Sequence, residues 1–314
     1  SLMAFASTFE PLRTANTLSD VDLYSWQMLS AEGGLVPASA GLQVMTERTE
    51  AATPECPDLV VVCAGVGGDK YRSPALEGAL RRFARHGVAI AAVSTGSFIL
   101  ARAGLLNDRP CTIHWDYMDA FVEAFPELDV RSNLFIIDGD RITCAGGSAA
   151  LDLMLQLIRM HHGDTLAQKV SDQFVHGQVR DAEDQQRQDI RHRYSIVHPL
   201  LIQAVGIMEE TIEDPVPKSE ISRRVGISMR QLERLFKHNI GVSPSRFYLT
   251  TRLERARKLL RHTSLPITEV AFASGFETAS HFAKCYRDYF NMRPSDDRQP
   301  AETTSGVQVV RPAA

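Results

Sequence analysis

Two stretches near the C-terminal end of the chain repeat one pattern: ISRRVGISMRQLERLFKHNIGVSP at residues 221–244 and VAFASGFETASHFAKCYRDYFNMRP at residues 270–294. Gly226 of the first copy aligns with Gly275 of the second at an offset of 49. One inserted residue then raises the offset to 50 as far as the proline that closes each copy. Each copy predicts a short helix, a glycine turn and a longer amphipathic helix, which is the plan of a helix-turn-helix unit.

Local signals mark the ends of these helices. Gly226 and Gly275 permit the left-handed backbone that closes a helix, and Ser228 followed by Gln231 is a capping box that begins the next one. Between the copies, TTRLERARKLLRH at residues 250–262 predicts one long helix. Such a stiff connection would hold two recognition helices at the spacing of adjacent major grooves of DNA, about 34 Å.

The outer face of the second helix in each copy supplies the candidate DNA contacts. Polar side chains on such a face reach base edges or phosphates, and an ordinary surface position is the alternative for each. The candidates are Arg230, Glu233 and Arg234 in the first copy and Thr278, Ser280, His281 and Lys284 in the second. At phosphates, or simply in solvent, we expect Arg223, Arg224, Arg246, Arg252 and Lys258.

The charge of the chain is divided between its two parts. Residues 215–298 carry 16 Lys and Arg against 8 Asp and Glu, a local charge of +8, whereas residues 1–214 carry 17 against 29, a local charge of −12. An acidic body with a basic C-terminal block indicates that only the block meets a polyanion. A solvated helical surface has a similar composition, so charge alone does not decide.

The N-terminal part predicts a layered α/β domain. Apolar runs at residues 58–64 and 87–93 are typical of buried parallel strands, residues 21–29 are predicted as a further strand, and residues 135–146 as a strand, a turn and a strand. Helical segments separate these strands, as in a doubly wound, flavodoxin-like sheet. The helices are predicted at residues 73–87, 97–104, 115–125 and 149–162.

Length and composition predict two domains in a chain of 314 residues. Without a run of about eighteen apolar residues we expect no membrane span, and the first residues lack the basic region of a secretory signal. These residues have no initiating Met and their pattern is typical of the middle of a helix, so we expect that a leading segment is missing. The predicted parts are the α/β domain over residues 1–180, a polar linker over 181–198, an all-α domain over 199–298 and a disordered tail over 299–314.

The cysteines are odd in number, widely spaced and without a CxxC pair. This argues against a disulfide framework or a zinc site and favours a reducing cytosol. We expect small buried thiols, no metal and no cofactor. The five are Cys56, Cys63, Cys111, Cys144 and Cys285.

Residues 200–298 resemble the DNA-binding domain of the AraC/XylS family. RLERARKLL, ITEVAFASGF, SHFAKCYRDYF and RPS match that family's C-terminal signature almost throughout. Asn291 stands where a glycine is common, and Asn tolerates the left-handed backbone. Lys284 stands where Arg is common, which favours a phosphate contact over a bidentate base contact. The resemblance implies a transcription regulator that binds duplex DNA.

The run GVAIAAVSTGSFILARAG at residues 87–104 predicts a strand, a sharp turn at Ser94 and a helix. In open α/β sheets, ligands bind at strand ends of this kind. Residues 3–178 resemble the PfpI, or class I glutamine-amidotransferase-like, fold, in the subgroup fused to an AraC-type domain. In the enzymes of that fold the turn carries Cys and then His. Here it is Ser94-Thr95, and Ala4 falls near the position of a glutamate.

The resemblance implies a binding pocket that has lost its nucleophile. Trp115 is suited to cover a cationic group and Glu10 to pair with an amine. The expected ligand is therefore a small nitrogenous metabolite, such as an amino acid or a quaternary amine. The predicted pocket residues are Glu10, Gly65, Ser94, Thr95, His114, Trp115 and Gly146.

Ser94 and His114 also admit a second interpretation, an amidase or other hydrolase with an accessory helical domain. A serine nucleophile needs a base, a group that orients the base and an oxyanion hole. The Gly65 backbone suits the hole, but no acid stands in an obvious triad position and the G-x-S-x-G elbow is absent. His114 equally suits a structural role. A third class, a helical protein-interaction adaptor, predicts no duplex binding.

Together these patterns predict a cytoplasmic transcription regulator without enzymatic activity. The α/β domain would sense the metabolite and the helical domain would bind the operator. The resemblance implies an activator rather than a repressor, a homodimer, a contact with RNA polymerase and no membrane partner.

Overall fold

The computed structural model describes residues 1–49, 57–187 and 189–298, the side chain of His192 excepted. Internal contacts divide the chain into an N-terminal unit, Ser1–Gln186, and a C-terminal unit that begins at Arg187. The predicted linker is therefore shared between the two units. Cys56 and the predicted tail over residues 299–314 lie outside the described residues.

The described part of the N-terminal unit contains three sheets. Their strands are β1 (Leu29–Ser30), β2 (Gly34–Pro37), β3 (Gln43–Arg48), β4 (Leu59–Cys63), β5 (Ala89–Val93), β6 (Pro110–Cys111), β7 (Asp129–Val130), β8 (Phe135–Asp138) and β9 (Arg141–Cys144). The main sheet has the order β4-β5-β9-β8, with β4, β5 and β9 parallel and β8 antiparallel to β9. The others are β1-β3-β2 and β6-β7.

Helices cover both faces of the main sheet. They are α1 (Leu2–Ser19), α2 (Pro74–Arg85), α3 (Gly96–Arg102), α4 (Met118–Ala124), α5 (Ala149–His162) and α6 (Asp164–Gln173). Along β5, Ile90 belongs to the core shared with α2, α3 and α4, whereas its neighbour Ala91 belongs to the core shared with α1 and α5. Because successive strand residues face opposite sides, this alternation makes the doubly wound α/β layer that the sequence predicts.

The predicted strand over residues 21–29 is wrong except at its end, since only Leu29–Ser30 pairs with another strand. Asn16 supplies the reason. Its side-chain amide donates to the Tyr24 carbonyl at 2.7 Å, and its side-chain oxygen accepts from the Tyr24 N–H at 2.9 Å. Both backbone groups that a strand would use at Tyr24 are thus already paired.

The described part of the C-terminal unit is helical. Its helices are α7 (Ile190–Arg193), α8 (Pro199–Glu210), α9 (Lys218–Val225), α10 (Met229–Asn239), α11 (Pro244–His262), α12 (Ile267–Ala273), α13 (Ala279–Phe290) and α14 (Pro294–Asp297). Helix α11 joins two cores: Phe247 and Tyr248 pack in the first, Leu253 and Leu260 in the second. Within the described ranges, no helix has both the length and the apolar character needed to cross a membrane.

Candidate functional site

The first helix-turn-helix copy consists of α9, a turn and α10. Gly226 has a φ of 75° and ends α9 in the left-handed conformation. Ser228 accepts the N–H of Gln231 at 3.2 Å, while the side chain of Gln231 accepts the N–H of Ser228 at 2.9 Å. This is the predicted capping box. Leu232 and Phe236 are fully buried, so the opposite face of α10 is outward.

The second copy consists of α12, a turn and α13, and it repeats the same plan. Gly275 has a φ of 74°, and the Thr278 hydroxyl accepts the N–H of His281 at 3.3 Å at the start of α13. Asn291 ends α13 with a φ of 56°, which confirms that Asn takes the left-handed position. Thr278 therefore has a capping role in addition to any contact with DNA.

The predicted DNA-contacting residues lie at the surface of both copies. Glu233 is half-buried, and its carboxylate lies 2.8 Å from the Lys218 ammonium, so it is already paired within the protein. The others are not packed inside, which leaves their contact with DNA as a prediction. The exposed residues are Arg230, Arg234, Thr278, Ser280, His281 and Lys284.

Arg252 is half-buried and has protein partners, so the expectation that it lies in solvent is wrong. Its Nε donates to the Ser274 carbonyl at 2.9 Å, and its Nη2 donates to the Gly275 carbonyl. The guanidinium lies 4.2 Å from the Phe276 ring centroid, and burial lowers the pKa of Arg252. This half-buried arginine therefore binds the carbonyl groups that follow the end of α12.

Arg223 and Arg224 also have protein partners, since both donate to the carboxylate of Glu220 at 2.7–2.8 Å. Hydrogen bonds from these two arginines lower the pKa of Glu220 to about 2. Both arginines remain exposed. Either one can therefore bind a phosphate if it gives up its ion pair with Glu220.

The turn of the second copy packs against the segment that precedes α9. A side-chain carbon at Gly275 would collide with the Ile212 carbonyl and lie 2.5 Å from Pro215. Arg255 of α11 also pairs with Glu213 of that segment. These contacts, together with the two cores on α11, fix the position of the second copy relative to the first.

In the N-terminal unit, the structure brings four predicted pocket residues together at the end of β5. Ser94 has a φ of 60° and donates its N–H to the Cys144 carbonyl at 2.9 Å. Gly146 touches it so closely that a side-chain carbon there would lie 2.6 Å from the Ser94 Cβ. The Thr95 hydroxyl donates to the Gly65 carbonyl at 2.6 Å. Ser94 is only 8% exposed and Thr95 is fully buried, so the turn is closely packed.

His114 and Trp115 form an adjacent aromatic pair, with ring centroids 5.5 Å apart. The Ser97 hydroxyl, on the helix after the turn, donates to the Thr112 carbonyl at 2.8 Å and ties this segment to the turn. His114 Nδ1 accepts the N–H of Asp116 at 3.2 Å. In a catalytic triad that nitrogen would instead donate to an orienting acid, so the geometry disfavours the hydrolase interpretation.

Glu10 forms an ion pair with Arg13 on the same helix, at 2.8 Å, so its carboxylate already has a partner within the protein. A buried acid that the sequence reasoning did not single out is Asp69, in the loop after β4 and 7% exposed. Burial, followed by the nearby carboxylates of Asp69 and Asp116, raises the pKa of Tyr117 to about 12. The signal in the sequence is an acid that closely follows the end of a buried strand, in GVGGDK.

The described thiols, Cys63, Cys111, Cys144 and Cys285, form no disulfide. Cys111 and Cys144 are buried, and burial raises the pKa of Cys111 to about 11 and that of Cys144 to about 12. Among the described residues, no group of three His, Cys, Asp or Glu side chains is arranged to bind a metal ion.

Comparisons with known proteins match both units. Residues 7–160 match the DJ-1/PfpI family, and residues 221–300 match a helix-turn-helix domain family. The HTH-type transcriptional regulator CdhR of Pseudomonas aeruginosa is 45% identical over 98% of this chain and 93% of its own length. The regulator GbdR of the same species is 44% identical, over 95% of this chain and 81% of its own length.

Among solved structures, an AraC family transcriptional regulator from Pseudomonas putida is 32% identical, with a TM-score of 0.49, over 55% of this chain and 93% of its own. The identities over nearly the whole chain show the family and, with it, a regulator rather than an enzyme. The chain belongs to the HTH-type transcriptional regulators in which a DJ-1/PfpI domain precedes an AraC-type DNA-binding domain.

Proposed function

We propose that this regulator is a metabolite-responsive activator that binds a specific operator with both helix-turn-helix copies of each chain. The N-terminal unit would bind a small cationic or zwitterionic nitrogen compound, and the protein would act in the cytoplasm as a homodimer in contact with RNA polymerase. The observation that carries the DNA half is the exposure of Arg230, Arg234 and Lys284 on two helices whose opposite faces are buried.

The length of α11 supports simultaneous use of both copies. Its 19 residues span about 28 Å at 1.5 Å per residue, close to the repeat of about 34 Å between major grooves on one face of DNA. Each good base contact contributes about 1–3 kcal/mol of discrimination. Arg230 and Arg234 are the side chains of α10 best suited to such contacts, since Glu233 is paired with Lys218.

The ligand half rests on the surroundings of Asp69. Its carboxylate acts electrostatically on Tyr117, whose ring centroid lies 6.3 Å from that of His114, and the Trp115 ring lies beside the same histidine. A buried carboxylate beside aromatic rings complements a cationic nitrogen. Asp69 is therefore our candidate for the role that the sequence suggested for Glu10, and Ser94, Thr95, Gly65 and Gly146 would line the same pocket.

Two side chains connect the pocket walls to the end of the N-terminal unit. Gln186 Nε2 lies 2.9 Å from the Ile113 carbonyl, next to His114. Arg180 donates to the hydroxyl of Ser148 at 2.8 Å, two residues after Gly146, and to the buried carboxylate of Asp152. A ligand that displaces either wall would therefore move the segment that leads to the C-terminal unit.

Calorimetric titration tests the ligand half. The wild-type protein is titrated with amino acids, betaines and polyamines, and at least one class should give saturable heat. Asp69→Asn should abolish that heat because the carboxylate loses its charge, whereas Glu10→Gln should leave it unchanged. Wild-type protein that gives no saturable heat with any class would contradict the sensor role.

Selection of bound sequences from random duplex DNA tests the DNA half. The selected duplex should bind more tightly than a scrambled one, and Arg234→Ala should reduce that preference by about 5-fold to 150-fold, the equivalent of about 1–3 kcal/mol. Arg234→Ala with wild-type preference and an intact fold would remove Arg234 from the set of base contacts.

A further inference from the structure

The second helix-turn-helix copy carries an open groove beside its recognition helix. The groove lies between the start of α12, the outer face of α13 and the start of α14, and its volume is ≈ 360 Å³. Its lining includes Ile267, Ser280, Lys284, Arg287, Arg293 and Ser295.

The charge of this groove is positive. Lys284, Arg287 and Arg293 are exposed, and none of the three forms an ion pair within the described part of the chain. The lining residues include these three cations and no acid. The neighbouring Asp296 accepts the hydroxyl of the lining residue Ser295 at 3.0 Å. A lining of this composition attracts an anion.

In the first copy a salt bridge crosses the corresponding place. By the internal repeat, Ile267 corresponds to Lys218, the first residue of α9, and Ala283 corresponds to Glu233. Lys218 and Glu233 lie 2.8 Å apart. The Lys218–Glu233 pair fills this space, and its two charges cancel. The second copy has the apolar residues Ile267 and Ala283 at the same positions.

Arg293 shows the same contrast at the start of the following helix. Its counterpart Ser243 accepts the N–H of Arg246 at 3.3 Å and caps α11. Arg293 occupies the N-cap of α14, but its side chain does not cap the helix. Serine is a preferred N-cap residue, whereas arginine is not. The second copy therefore has a cation at the groove in place of a helix cap.

We propose that this groove binds a phosphate of the DNA backbone. Lys284 supplies a point charge, and the planar guanidinium groups of Arg287 and Arg293 match two oxygens of a phosphate. The second copy would thus supply more of the salt-dependent binding, and the first copy more of the base discrimination. This inference rests on the DNA binding proposed above and names further residues that carry it.

The salt dependence of DNA affinity tests the assignment. The full chain is titrated with a selected duplex and with a scrambled duplex at several salt concentrations. Removal of one phosphate-binding side chain should reduce the slope of log affinity against log salt by about 0.9. Arg293→Ser should reduce this slope by about 0.9, and the double variant Arg293→Ser/Arg287→Ala should reduce it by up to twice that amount. In both variants the affinity for the selected duplex and the affinity for the scrambled duplex should fall by a similar factor.

Arg81→Ser is the matched control, because it removes an equal charge from an exposed position on α2. It should leave the slope at the wild-type value. Arg293→Ser should fold, since it restores the residue that caps the first copy. Wild-type slopes in both groove variants would show that the groove does not bind a phosphate, and would point to an acidic protein partner for the groove. Failure of the wild-type chain to bind any duplex would instead overturn the proposed function.

Discussion

The hydroxyl oxygen of Tyr286 lies 2.7 Å from the carboxylate of Asp297 and donates a hydrogen bond to it. Arg257 and Arg261 of α11 donate to the same carboxylate at 2.9 and 2.8 Å. Tyr286 is fully buried in the second core. Asp297 therefore joins α14 to α13 and α11, and it holds the segment that carries Arg293 in place.

Removal of this carboxylate should loosen the second copy. In Asp297→Ala the buried hydroxyl of Tyr286 loses its acceptor, which costs about 1–3 kcal/mol. Hydrogen exchange of peptides from residues 279–298 should show reduced protection by the same amount. Asp297→Asn keeps an acceptor oxygen and should lose less. Equal protection in wild type and the alanine variant would show that this hydrogen bond does not stabilise the region.

The same carboxylate predicts a pH dependence. Burial alone would raise the pKa of Asp297, but hydrogen bonds from Tyr286 and Arg261 and the two arginine charges outweigh it, so the pKa is lowered. The stabilisation is therefore complete above the carboxyl's unfolded pKa and is lost as pH falls through the lowered folded pKa. The difference in unfolding free energy between wild type and Asp297→Asn, followed by circular dichroism, should shrink over that acidic range. A difference that grows on acidification would contradict the assignment.

The two turn glycines should respond unequally to substitution. Gly226 has open space where a side chain would project, so Gly226→Ala should cost only the left-handed strain of about 1–2 kcal/mol. Gly275→Ala has the same strain and in addition collides with Ile212 and Pro215. Denaturant unfolding should show a clearly larger loss of stability for Gly275→Ala. Equal losses would mean that the 212–215 segment does not constrain the second copy.

Removal of Glu233 should give the first copy a groove like that of the second. Glu233→Ala frees the Lys218 ammonium and removes a carboxylate beside the recognition helix. Duplex affinity should rise at low salt, and the slope against log salt should steepen by about 0.9 if Lys218 then binds a phosphate. Lys218→Ala serves as the control and should not steepen the slope. Unchanged affinity and slope in Glu233→Ala would show that this pair is distant from DNA.

Gln186 tests the connection between ligand and DNA. Gln186→Ala removes hydrogen bonds to Thr112, Ile113 and Asn133. Ligand heat should persist, while the ligand-induced change in DNA affinity, about 5–150-fold in typical allosteric proteins, should fall towards none. The neighbouring exposed Gln185→Ala should keep the wild-type response. A Gln186→Ala protein with full response would exclude this path.

Periodicity and capping signals predict the elements on which the function depends. The capping box of Ser228 and Gln231, the left-handed turns at Gly226 and Gly275 and the strand–turn–helix at Ser94 each depend on residues within a few positions of one another. Local sequence therefore carries the information, and the structure confirms these elements.

Features that depend on distant partners could not be predicted. The sequence pattern places Arg252 at the surface because its acceptors at Ser274 and Gly275 are 22 and 23 residues away. The strand predicted at residues 21–29 fails because Asn16, on the preceding helix, pairs with Tyr24. Asp69 could not be singled out, since only the folded loop shows that this acid is buried and acts on Tyr117.

Hydroxyl-radical footprinting on a selected duplex shows whether both helix-turn-helix copies of one chain bind the same stretch of DNA. Simultaneous binding should give two protected segments on one face of the duplex, centred about 10–10.5 base pairs apart for each chain. Arg234→Ala should weaken protection of one segment and Lys284→Ala that of the other. A single protected segment per chain, reduced equally by both substitutions, would contradict simultaneous binding by the two copies.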